Sequence, residues 1–134
     1  MKIIISIIFM FLSAQSFADL KGKALLCESF NKKGRLLGYY FHENYKFQSM
    51  YVKFANDKYS IFYSLFEDYT LVTDKVILSD RGHIDRKSLI VVGPLGTNVA
   101  QCELSGWAEL YDRIEEYKNE QQKTYNKKLE GNKI

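Results

Sequence analysis

The chain has 134 residues, 46% of them hydrophobic and 26% charged, with eight Gly, one Pro and two Cys. That apolar share is too high for a disordered chain, and Gly, Pro and Cys are too few for a collagen-like or multi-disulfide one, so a single folded domain is expected. The formal net charge of +3 is spread over mixed signs with no Lys/Arg stripe, which argues against a nucleic-acid partner.

Residues 1–18 read as an export signal. Lys2 supplies the positive start, Ile3 to Leu12 form the apolar run, and Ser16 and Ala18 give the small-x-small step of a signal-peptidase site. The run is shorter than the roughly 20 apolar residues that cross a bilayer. No Cys follows the small residues, so a lipid anchor is not indicated. The expectation is cleavage after Ala18, a mature chain starting at Asp19, export to the periplasm or beyond the cell, and no membrane span after cleavage. The remainder divides into a β domain, 19–105, and a C-terminal amphipathic helix with a polar tail, 106–134.

Cys27 lies near the mature N-terminus and Cys102 near the end of the apolar-rich region. Two cysteines in an exported chain are expected to join. The alternatives are a free thiol pair or metal ligation. A two-Cys zinc site needs two further His or Cys nearby, and the chain holds only His42 and His83.

Between the cysteines the hydrophobic period is mostly two. Tyr59, Ile61 and Tyr63 alternate with Ser60, Phe62 and Ser64, and Ala100, Cys102 and Leu104 alternate with Gln101 and Glu103. Rings and β-branched residues favour strands. Turn signals punctuate them at Asn31–Gly34, Ala55–Asp57, Glu67–Asp68, Thr73–Asp74, Asp80–Gly82 and Gly93–Gly96. Strands are therefore predicted at about 23–30, 36–42, 46–54, 58–66, 69–73, 75–79, 87–92 and 98–104. No helical pattern lies between them, so the fold class is all-β with one C-terminal helix: a small antiparallel meander barrel or sandwich of about seven or eight strands. In such a meander the first and last strands are the edges. A Cys27–Cys102 bond would clasp them.

After Leu104 the spacing changes to three and four, through Trp107, Leu110, Ile114 and Tyr117, then Gln121 and Lys128. This predicts a helix over about 106–128, with Ser105 as N-cap. Trp107, Leu110 and Ile114 should dock on the sheet, and the polar distal half should project.

His42-Glu43 and His83-x-Asp85 are the His/acid groupings, read as surface residues in strand-end turns. The sequence lacks Gly-x-Ser-x-Gly, Gly-x-Gly-x-x-Gly and a Walker lysine. Glu67-Asp68 and Glu115-Glu116 read as solvated pairs. No enzyme activity, cofactor or metal is indicated. Tyr39, Tyr40, Phe41, Tyr45, Phe47, Tyr51, Phe54, Tyr59, Phe62, Tyr63, Phe66 and Tyr69 crowd one short stretch, and alternation places rings on both sheet faces. Either the helix covers the second face, or a ring-rich outer face remains as a binding surface.

Cys27, the step Ile84-Asp85-Arg86-Lys87-Ser88-Leu89 and Gln101-Cys102-Glu103 together resemble short, uncharacterised secreted bacterial and phage-borne proteins. These have an opening Cys, an aliphatic-Asn/Asp-Arg-Lys-Thr/Ser-Leu step and a closing Cys; the resemblance covers about 20–105 and implies no activity. More loosely, the architecture resembles the periplasmic inhibitors of c-type lysozyme, small disulfide-closed barrels. Their Ser-Gly-x-x-Tyr loop is missing, so no inhibitory residue carries over. Arg86 is expected to start a strand, lying on a ring or pairing with an acid. The leading functional expectation is a non-enzymatic exported β module that binds a protein or envelope component. The alternatives are a lipocalin-like carrier of a small apolar ligand, needing an enclosed pocket of roughly 300 Å³ or more, and a hydrolase using His42 or His83.

Overall fold

The computed structural model describes residues 20–131. The expected signal segment with its cut after Ala18 lies outside the described residues, as do residues 132–134. The strands are β1 (Ala24–Ser29), β2 (Leu36–Phe41), β3 (Lys46–Ala55), β4 (Lys58–Tyr63), β5 (Glu67–Asp68), β6 (Thr70–Leu71), β7 (Lys75–Ile77), β8 (His83–Asp85), β9 (Ile90–Val92) and β10 (Asn98–Ser105). Among the described residues one helix, α1 (Trp107–Gly131), follows them.

Every pairing is antiparallel, in the order β4-β3-β2-β1-β10-β9-β8-β7-β6. β5 pairs with the first residues of β3, and β6 pairs with β7. Only Tyr69 separates β5 from β6, and its N–H donates to the Tyr45 carbonyl at 2.9 Å. One bent strand thus links β3 to β7, and the pairings of the curled sheet return on themselves. The architecture is all-β with one C-terminal helix, built as one curled sheet rather than two packed ones.

Several boundaries differ from the sequence pattern, each for a local reason. The strand expected over 58–66 ends at Tyr63, because Ser64 turns the chain: its hydroxyl accepts the Ser49 N–H at 2.8 Å and donates to the Leu65 carbonyl at 3.0 Å. Glu67-Asp68, expected in a turn, forms β5 instead, with Asp68 paired to Lys46 and both Glu67 oxygens 3.0 Å from Arg81 Nε. β8 occupies residues expected in a turn; three residues with one apolar centre are too few to show alternation. β9 starts three residues later than expected because the Asp85 carboxylate accepts the N–H groups of Lys87 (2.9 Å) and Ser88 (2.8 Å), holding 86–89 as a turn.

Alternation along β1 and β2 sends side chains to two cores. Leu25, Cys27, Tyr39 and Phe41 join Phe47, Tyr69, Val76, Leu78, Ile84, Val91, Ala100 and Cys102 inside the curl. Ala24, Leu26 and Met50 face outward and are covered by Leu110 and Ile114 of α1. Gly38 makes this docking possible, since a Cβ there would stand 2.5 Å from Leu110 Cδ1. The helix therefore covers part of the second aromatic face and leaves the rest open.

The distal half of α1 does not project freely. Gln122 Oε1 accepts the Tyr59 N–H at 2.8 Å, Gln122 Nε2 donates to the Asp57 carbonyl at 3.3 Å, and the Tyr125 hydroxyl bonds the Asp57 carboxylate. The Tyr125 ring also meets Phe54 edge-on at 4.9 Å. These polar and aromatic contacts fasten the helix to the β3–β4 hairpin, which an apolar-stripe criterion does not register. Ser105 is not the cap: its hydroxyl donates to the Gly106 carbonyl, while that same carbonyl accepts the Leu110 N–H at 2.9 Å to open the helix.

Candidate functional site

The cysteines stand directly opposite one another on β1 and β10 and are joined, buried inside the curl. The clasp thus lies within the sheet, between its first and last long strands. His42 and His83 are not brought together with a ligand set: among the described residues no group of three or more His, Cys, Asp or Glu is placed to hold a metal ion. His83 sits in β8 opposite Ile77 and Val92. Arg86 follows a strand rather than starting one, and its Nη1 donates to the Val72 carbonyl at 3.1 Å. Asp85, held by the Ser88 and Lys87 amides, is kept below the ordinary carboxylate range. These residues build turns.

The open part of the outer face carries the strongest candidate. Leu110 seats over Gly38, so the preceding helical turn places Trp107 beyond it, over Tyr40 of β2 and Tyr63 of β4. Ring centroids lie 4.8 Å apart for Tyr40–Trp107, 6.2 Å for Tyr63–Trp107 and 6.4 Å for Trp107–Tyr111. On the other side Tyr40 meets His42 edge-on at 4.5 Å, and His42 meets Phe66 at 4.7 Å. A continuous run of rings therefore crosses the face, from Phe66 (61% exposed) to Trp107 (40% exposed). Trp107, expected as a core residue, is a surface ring.

Within this run Tyr40, His42, Gln48, Tyr63 and Trp107 line an open groove of about 420 Å³. The polar pair in its floor is oriented. Gln48 Nε2 donates to the Ser64 carbonyl at 3.0 Å, so its Oε1 is the acceptor for His42 Nε2, 2.8 Å away. Burial pushes the Tyr63 phenol up, and Tyr111 and Glu115 add to the shift. Rings with one exposed face and a fixed polar centre suit recognition, because they give large contact area at low side-chain entropy cost.

Compared with known proteins, the chain matches no family model, no curated protein and no solved structure. The site is therefore read from its geometry alone. Sequence alternation gave the surplus of rings on the second face, but not which of them the helix would leave open. That depends on Gly38, whose missing side chain decides where α1 seats. Leu65, 87% exposed beside Phe66, extends the apolar edge.

Proposed function

We propose that the chain is a non-enzymatic exported β module that binds a protein or envelope component through the aromatic face around Trp107. The observation that carries this is the unbroken line of rings, exposed at Phe66, Trp107 and Tyr63 and partly buried at His42 and Tyr40, around an open groove with an oriented Gln48–His42 pair. Aromatic residues concentrated at one surface patch are typical of interface centres. The carrier alternative lacks such support, since Phe41, Phe47, Leu78 and Ile84, all fully buried, occupy the inside of the curl.

The test compares retention of envelope extract by the immobilised oxidised domain and by its Trp107→Ala/Tyr63→Ala variant. The expected result is a component held by the parent and lost by the variant, with the melting temperature little changed. Nothing retained by the parent, or equal retention by both, would overturn the proposal. Trp107 is the single tryptophan of the chain, so its fluorescence reports directly on occupancy of this face.

A further inference from the structure

A second groove, of about 790 Å³, lies away from the aromatic face, between the β1–β2 loop, the end of β3 and the middle of α1. Its loop wall presents Lys32, Lys33 and Arg35, and the facing helix offers Tyr117 and Glu120. With Lys53, four cations line it against the single acid Glu120. Lys53 Nζ is held 4.5 Å over the Phe62 ring. The loop carrying the other three is ordered from within: Glu28 Oε1 accepts the Gly34 N–H at 3.0 Å, Arg35 O accepts the Ser29 N–H at 3.0 Å, and Arg35 N–H donates to Lys32 O at 3.0 Å.

The floor holds a stretch of open sheet edge. The β2–β3 ladder ends at Leu37–Tyr51, whereas β3 continues along β4 to Ala55–Lys58. Asn56 and Asp57 form the two-residue hairpin loop, both with positive φ. Residues flanking such a loop exchange hydrogen bonds, so the next pair, Phe54 and Tyr59, aims its backbone groups outward. Tyr59 bears this out, because its N–H is taken by Gln122 on the far edge. The N–H and C=O of Phe54 therefore point to the groove edge, and among the described residues they make no hydrogen bond to the protein.

We propose that this groove binds an extended acidic peptide segment, which pairs with the Phe54 backbone while its carboxylates meet Lys32, Lys33 and Arg35. The positive lining selects an anionic occupant. The outward amide and carbonyl favour a polypeptide over other polyanions, because an added strand satisfies both at once. This site is independent of the aromatic face and stands or falls separately from it.

The test is fluorescence anisotropy with a labelled peptide of alternating Glu and Val, its N-methylated counterpart, the corresponding Lys–Val peptide, and polyphosphate as an anionic polymer without amides. The expected result is saturable, salt-sensitive binding of the Glu–Val peptide, weakened about tenfold by Lys33→Glu/Arg35→Glu and several-fold by N-methylation. Both substituted residues are exposed, so an unchanged melting temperature separates lost binding from lost fold. The proposal is overturned by no saturable binding at millimolar peptide, or by equal binding to the charge-reversed variant. Equal affinity for the N-methylated peptide, the Lys–Val peptide or polyphosphate overturns it too.

Discussion

Tyr39 is 8% exposed on the inner side of β2, and burial pushes its phenol up to about 12. A raised folded-state value means that stability is fully present below the unfolded pKa, near 10, and is lost as the pH climbs toward 12, because only the unfolded chain ionises freely in that window. The loss should approach about 3 kcal/mol at the upper end. Alkaline denaturation followed by circular dichroism should show it, and Tyr39→Phe should flatten the decline between pH 10 and 12. Gly38 beside it makes a different demand. Gly38→Ala would drive a methyl into Leu110 and should cost about 1–3 kcal/mol, as overpacking does. In a double-mutant cycle with Leu110→Ala the two losses should sum to less than additive, since the smaller side chain makes room for the methyl. A fully additive cycle in urea melts would show that the helix seats elsewhere.

Among the elements, β4, the second half of β10 and the start of α1 could be read from their period, whereas β1, β2 and β3 are legible as apolar and ring-rich runs between turn signals. Residues 100–104 alternate in sequence, and Leu110 and Ile114 lie four apart. The short elements β5 and β8 carry two and three residues and exist because neighbouring strands supply their hydrogen bonds, whereas β6, β7 and β9 fall inside the strands expected at 69–73, 75–79 and 87–92. The helix illustrates the same limit in a polar setting. Its apolar stripe ends near Tyr117, yet Gln122 and Tyr125 reach the β3–β4 hairpin. The aromatic face was legible only as a surplus of rings, because Trp107 at helical spacing from Leu110 looks like core until the seat of α1 is known. Truncation after Asn119 should therefore lower the melting temperature modestly while leaving the curled sheet folded. Amide exchange should quicken selectively at Tyr59, whose N–H loses its Gln122 partner. Unchanged protection there would show that the distal contacts contribute nothing in solution.

For the whole molecule, the disulfide ties the two strands that meet when the curl closes. The link spans 75 residues of sequence, which in the chain-entropy view removes about 4 kcal/mol of unfolded-state freedom. A Cys27→Ser/Cys102→Ser variant should melt many degrees lower than the oxidised parent in a thermal scan, since about 1 kcal/mol shifts a domain of this size by several degrees. The parent under denaturing, non-reducing conditions should show no reactive thiol. Two titratable thiols would contradict the bond, and an unshifted melting temperature would mean that the ladder between β1 and β10 closes the sheet unaided.

Because β1 lies between β2 and β10, one of its edges is satisfied by the next strand to be made and the other only by the last. A ribosome adding about 5–20 residues per second would keep Cys27 waiting about 4–15 s for its partner after it is made. Throughout that interval β1 lacks its β10 partner and Cys27 lacks its bond. Oxidation of this pair therefore marks how far a chain has been made: a molecule carrying the bond extends at least to Cys102, whereas one halted earlier carries the Cys27 thiol alone.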